Sequence, residues 1–95
     1  MPKYITLIRF TGQGAKNIKQ STARARAFAK VAAKSGVKVE AQYWTAGSYD
    51  GVLVLSADSD RKALRALTKL AAAGNVRTET MQAFDAKEFK SIVGG

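Results

Sequence analysis

The hydrophobic positions of this chain follow two rhythms, one near two residues and one near 3.6. Lys3–Phe10 is rich in β-branched and aromatic residues and predicts a strand. Thr11-Gly12-Gln13-Gly14 reads as a turn. Ala15–Ser35 carries a helical period, with an interruption at Gln20-Ser21, where Ser21 could cap a fresh helix. Gly36 suits a left-handed helix stop. From Val37 to Thr45 the chain alternates, with Val37, Val39, Ala41, Tyr43 and Thr45 on one side and Lys38, Glu40, Gln42 and Trp44 on the other. Ala46-Gly47-Ser48 predicts a hairpin link into a more apolar strand over Tyr49–Ala57. Asp58 or Ser59 then caps a helix that runs to about Ala73 and is closed by Gly74. Asn75–Phe84 predicts a fourth strand, and Asp85–Val93 a short terminal helix capped by Asp85.

Strand, helix, strand, strand, helix, strand is the ferredoxin-like βαββαβ order. The fold class expected is therefore α+β: a four-stranded antiparallel sheet, two helices on one face, and a short C-terminal helix. Ninety-five residues suit a single domain over 1–95, without linkers or low-complexity segments.

The helix faces account for most of the charge. At about 100° per residue, Ile18, Ala25, Phe28, Ala29 and Ala32 share the arc expected to face inward. Lys16, Lys19, Arg26, Lys30 and Lys34 occupy the opposite arc. In the second helix Leu64, Leu67, Leu70 and Ala71 are expected inward, and Arg61, Lys62, Arg65 and Lys69 outward. Both outer faces are poor in acids, which predicts a basic helical surface.

The first and third strands are apolar on both faces: Ile5 and Leu7 against Tyr4, Ile8 and Phe10, and Leu53 and Leu55 against Val52 and Val54. A sheet with helices on one side and water on the other should show one polar face. Something must cover the second face. A second copy of the same sheet would do so, giving a homo-oligomer. The competing cover is the terminal helix, through Phe89, Ile92 and Val93.

Composition narrows the chemistry. There is no cysteine and no histidine, which removes thiolate nucleophiles, zinc fingers and the usual neutral-pH general base. No metal and no cofactor is expected, and no stretch reaches the ~20 apolar residues of a membrane span. The absence of an export signal makes a cytoplasmic location the expectation. Sixteen Lys and Arg against seven acids give a net charge of +9. Such a field attracts anions, including nucleic acid in a salt-dependent manner that ignores sequence.

Three segments carry a family resemblance: Tyr4–Thr11 (Y-I-T-L-I-R-F-T), Tyr43–Asp50 (Y-W-T-A-G-S-Y-D) and Gly74–Phe84 (G-N-V-R-T-E-T-M-Q-A-F). In these the chain resembles GYD-domain proteins, a small prokaryotic family with a Gly-Tyr-Asp signature. Here Ser48 stands before Tyr49-Asp50, and the nearest glycine is Gly47. The resemblance implies a ferredoxin-like fold that associates as a dimeric α+β barrel, and it implies no activity.

Tyr43, Trp44, Tyr49 and Asp50 crowd the hairpin, and Arg77 shares a face of the fourth strand with Glu79. These five form the candidate ligand site: Tyr49 and Asp50 as a hydrogen-bonding pair, and Arg77 as a clamp for a small, partly apolar anion between sheets. The competing structural reading has Asp50 capping the hairpin backbone, Tyr49 packing on Trp44, and Arg77 paired to Glu79 or Asp50. The Thr11–Gly14 loop could offer N–H groups to an anion, but it lacks the P-loop ending. Acylphosphatases share the topology, yet no arginine lies in that loop. RNA-recognition motifs also share it, yet the third strand has no Gly-Phe-Gly-Phe run. The expectation is a non-catalytic self-associating module. The alternative is a small cofactor-free barrel enzyme of oxygenase or isomerase type, working with Tyr, Trp or Asp in place of histidine.

Overall fold

The computed structural model describes residues 1–94. Four strands, β1 (Lys3–Phe10), β2 (Val37–Trp44), β3 (Gly51–Ala57) and β4 (Val76–Ala83), form one antiparallel sheet in the order β2-β3-β1-β4. The two doubly apolar strands, β1 and β3, are the central pair, as a ferredoxin-like α+β fold requires.

The segment read as a turn is already helical. Thr11 caps α1 (Gly12–Lys16), its Oγ1 accepting the Gly14 N–H at 3.1 Å. A 3-10 turn at Ile18–Gln20 follows, and α2 (Ser21–Lys34) begins at the expected break. Ser21 is its first helical residue rather than its cap, and its Oγ accepts a hydrogen bond from elsewhere. The 3-10 turn breaks the helical wheel, so Ile18 leaves the inward arc and is 53% exposed. Gly36 and Gly74 both adopt φ of +82°, the left-handed stop that glycine allows without strain.

Helix α3 (Asp60–Ala72) starts at Ser59, whose Oγ accepts the Lys62 N–H at 3.3 Å; Asp58 pairs instead with the Lys62 ammonium at 3.0 Å. Its buried stripe is Ala63, Ala66 and Leu67, with Leu70 half-buried. Leu64 and Ala71, expected inward, lie outside that stripe, and Leu64 is 62% exposed. Spacing of i, i+3, i+4 and i+7 from Ala63 is as regular as the all-leucine arc. The small alanines let the helix settle close to the sheet.

The core joins this stripe and Ala32 to Tyr4 and Ile8 of β1, Leu53, Leu55 and Ala57 of β3, and Val37 of β2. Thr6 is fully buried beside them, and its hydroxyl pairs with that of Thr80 at 2.9 Å, which satisfies both.

Strand β2 departs from simple alternation. Val39 stands opposite Leu55 and Ala41 opposite Val54, so Glu40 is an unpaired bulge residue. One extra residue reverses every later side chain. Val37 and Val39 face the helices, but Ala41 and Tyr43 pair with Val54 and Val52 on the open face, while Gln42 and Trp44 turn toward the helices. The single continuous apolar face expected for β2 is therefore two half-faces. The bulged Glu40 is bonded by the Ser56 hydroxyl at 3.0 Å.

The face away from α2 and α3 presents Ile5, Leu7, Val52 and Val54, all half-buried, with Met81 beside them at 49% exposure. The terminal helix α4 (Ala86–Ile92) carries an Asp85/Glu88 capping box but buries none of its residues. Phe89, Ile92 and Val93 stay exposed, so α4 does not roof this face. Among the described residues, no helix is long and apolar enough to cross a membrane.

Candidate functional site

Two concavities flank the hairpin end of the sheet, one on each face. The larger, about 330 Å³, lies between α2, α3 and the helix-side face. Helix α2 turns the small side chains of Ala25, Ala29 and Ala32 toward the sheet, with Phe28 and Arg24 as the larger half-buried side chains among them. Helices α2 and α3 touch only sparsely. Phe28, Leu53, Leu70 and Val76 line apolar walls, and Arg24, Trp44, Asp50 and Lys69 supply polar edges.

Arg24 borders this cavity. Its Nη1 donates to the Asn17 carbonyl at 2.7 Å, while its Nη2 is closed off from solvent and has no hydrogen-bond partner among the described residues. At the cavity rim the Trp44 indole N–H donates to the Ser21 hydroxyl at 2.9 Å, tying β2 to the start of α2.

The smaller concavity, about 190 Å³, is a groove on the open face lined by Leu7, Arg9, Tyr49, Arg77, Thr78 and Glu79. The Arg9 guanidinium lies 4.5 Å from the Tyr49 ring centroid, a cation–π contact, and its Nε donates to the Ser48 carbonyl at 3.0 Å. The Tyr49 hydroxyl donates to Glu79 at 2.5 Å. That hydrogen bond raises the phenol above its ordinary value, with burial and the Glu79 charge adding to it and Arg9 opposing.

The five expected site residues are thus divided between faces. Trp44 and Asp50 line the helix-side cavity, Tyr49 and Arg77 the open-face groove. Tyr43 pairs with Val52 on the open face, and it also borders the cavity mouth. The Asp50 carboxylate accepts the Phe10 N–H at 2.8 Å, and Tyr49 bonds Glu79, so the two make no pair with one another. The β2 bulge exchanges the faces of Tyr43 and Trp44, whereas Tyr49 and Asp50 part because neighbouring residues of an extended chain point to opposite faces.

Reasoning from sequence passed over Arg24 and Arg9, and read Ser21 only as a helix cap. A signal for Arg24 was present: it stands four residues before Phe28 and so shares its helical stripe. Lys69, placed outward, is exposed yet also borders the cavity.

Two of the four N–H groups of the Thr11–Gly14 loop are engaged within the chain, Thr11 with the Asn75 carbonyl at 3.1 Å and Gly14 with Thr11 Oγ1. Backbone packs directly on Gly14, where a Cβ would fall 1.9 Å from the Asn75 oxygen. Among the described residues, no three acidic side chains cluster as a metal site would need.

Comparison with known proteins agrees with this architecture. The GYD domain profile matches residues 4–93. A Thermus thermophilus protein named "Glutamine synthetase and cystathionine beta-lyase binding protein" is 34% identical over 84 residues, covering 87% of this chain and 88% of that protein. The crystal structure of TTHA0845, also from Thermus thermophilus, superposes with a TM-score of 0.59 at 26% identity, over 90% of this chain and 96% of the other. With a family match that runs from the first strand into the terminal helix, the chain belongs to the GYD-domain family.

Proposed function

We propose that this protein is a non-catalytic binding module that works as a sheet-to-sheet pair and presents its basic helical surface to an acidic patch on another protein. The observation that carries the reading is the open sheet face, where Ile5, Leu7, Val52, Val54 and Met81 form an apolar surface that no element among the described residues covers. A second copy in the same antiparallel sheet geometry would bury it. Phe84 and Phe89 add further exposed apolar surface near the chain end. In such a pair the groove beside Arg9 and Arg77 would lie between the sheets, where a small anion could sit.

The helices would then face outward on both sides of the pair. Lys16, Lys19, Arg26, Lys30, Lys34, Arg61, Lys62 and Arg65 carry the positive charge of that surface. Residues 12–34 contain no acid, and α3 contains only Asp60. A surface of one sign steers and holds a partner of the opposite sign. The relative named for binding glutamine synthetase and cystathionine beta-lyase supports an enzyme as that partner. Catalysis is the weaker reading, because the one carboxylate lining the larger cavity, Asp50, is already bonded to backbone.

Sedimentation across a concentration range tests the pair. The expected species has twice the 10.2 kDa monomer mass. Val54→Asp on the open face should return it to monomer with the circular dichroism of the parent. A parent that stays monomeric at high concentration overturns the pairing. For the partner, the immobilised protein should capture glutamine synthetase of its own source at low salt and release it as salt rises. Capture of duplex DNA in its place overturns the protein-partner reading, as does no capture.

A further inference from the structure

We propose that α4 is an exchanged arm, an inference that rests on the sheet-to-sheet pairing proposed above and names the element that completes it. In the pair, the terminal helix of each subunit packs its apolar stripe on the hairpin end of the other subunit's open face, around the partner's Tyr43.

The arm has no packing of its own. None of the residues of α4 is buried, and among the described residues every hydrogen bond of 85–94 stays within that segment. Isolated helices shorter than about 12–15 residues are marginal in water, and most helical stability in proteins comes from packing of an apolar face. Seven residues with a capping box therefore need a surface to lie on. At about 100° per residue, Ala86, Phe89, Ile92 and Val93 share one arc, and Lys87, Glu88, Lys90 and Ser91 the other. Phe84 and Phe89 stand at the two positions of a hydrophobic staple, which sets the angle at which the arm leaves β4. The stripe has the form of a packing face with nothing packed on it.

Area favours a second copy as the occupant. Stable interfaces take about 800 Å² from each partner. On the open face Ile5, Leu7, Val52 and Val54 are already half-covered by their neighbours, so the sheet offers little beyond Met81 and Tyr43. Phe84, Phe89, Ile92 and Val93 are each half or more exposed and hold the larger share of free apolar surface. A pair that left the arm out would keep these four side chains wet and lose that share.

Topology places the seat. Ala83 pairs with Lys3, so α4 leaves the sheet at the end opposite the hairpin, where Ile8 pairs with Gly51 and Tyr43 with Val52. Tyr43 is 62% exposed there, a strand length from the α4 of its own subunit. The long axis of the molecule, 48 Å, exceeds the about 26 Å of an eight-residue strand by more than the about 10 Å of α4, as expected of an arm that projects past the sheet. Two sheets stacked face to face about a two-fold axis perpendicular to the strands run in reversed directions. Each arm then meets the hairpin end of the other subunit, and the same contact forms twice.

Two kinds of variant test the arm. Phe89→Asp, at a side chain 58% exposed, should leave the fold intact and raise the dissociation constant of the pair about 30-fold or more in sedimentation. Lys87→Ala, on the polar arc of the same helix, should leave that constant near the parent's. The chain has no cysteine, so Tyr43→Cys and Phe89→Cys introduce its only thiols. Mixed and treated with a short bis-maleimide, these two variants should give a linked species of twice the monomer mass, in higher yield than either variant alone. This cross-link decides the matter even where Phe89→Asp alters the helix. A Phe89→Asp protein that pairs as tightly as the parent, while Val54→Asp separates the subunits, overturns the arm and leaves the pairing standing. A mixture that links no better than Phe89→Cys alone also overturns it. A parent that is monomeric at high concentration overturns both.

Discussion

The Asp50 carboxylate accepts the backbone N–H of Phe10 at 2.8 Å, while the Asp50 N–H donates to the Ile8 carbonyl at 2.7 Å. The β1–β3 ladder ends at the Ile8–Gly51 pair, so Phe10 has no strand partner on that side. Asp50 replaces it with a side chain and anchors the hairpin to the central strand. Asp50→Ala should therefore cost about 1–3 kcal/mol, the usual loss when a charge-assisted bond to a partly buried donor is removed. Asp50→Asn, which keeps an acceptor, should cost less. Urea unfolding checks both, with a lowered midpoint and an unchanged slope.

Gly14 lies against the Asn75 carbonyl, and neighbouring bonds clamp the same junction. Thr11 Oγ1 donates to the Gly74 carbonyl at 2.6 Å, and the Gln13 amide donates to the Ala73 carbonyl at 3.1 Å. A methyl group cannot enter without moving backbone. Gly14→Ala should destabilise by about 1–3 kcal/mol or more, although alanine is the better helix former. A melting temperature at or above that of the parent would contradict this packing.

The Tyr4 phenol is pushed up to about 12 by its hydrogen bond to Asp60, with burial and the Asp60 charge adding to the effect. In the unfolded chain it returns to the ordinary value near 10. A folded value above the unfolded one means that the contribution is intact below pH ~10 and fades as pH climbs through ~12. Stability should fall across that window, and Tyr4→Phe should flatten the fall. Tyr49, also raised, remains in both proteins, so the difference between them isolates Tyr4.

Leu67 is buried and Leu64 is exposed, although both stand in the same leucine-rich helix. Leu67→Ala should cost about 2–5 kcal/mol. Leu64→Glu should change stability by less than about 0.5 kcal/mol. Equal losses from the two would mean that α3 is rotated from the orientation described.

Element order, the central place of β1 and β3, the left-handed stops at Gly36 and Gly74 and the Asp85 cap were all determined by the sequence itself. Each depends on local rules: period, capping and the conformational freedom of glycine. The basic outer face of the helices was legible for the same reason. Only the tertiary structure decided the rest. The Glu40 bulge is a property of pairing between strands, and it alone placed Tyr43 and Trp44 on faces opposite to their apparent ones. The choice of Ala63 over Leu64 as the inward line of α3 depended on how closely the helix approaches the sheet. The cavity beside Arg24 is a volume left between elements, set by an alanine-faced helix standing over a flat strand surface, and no single segment encodes it.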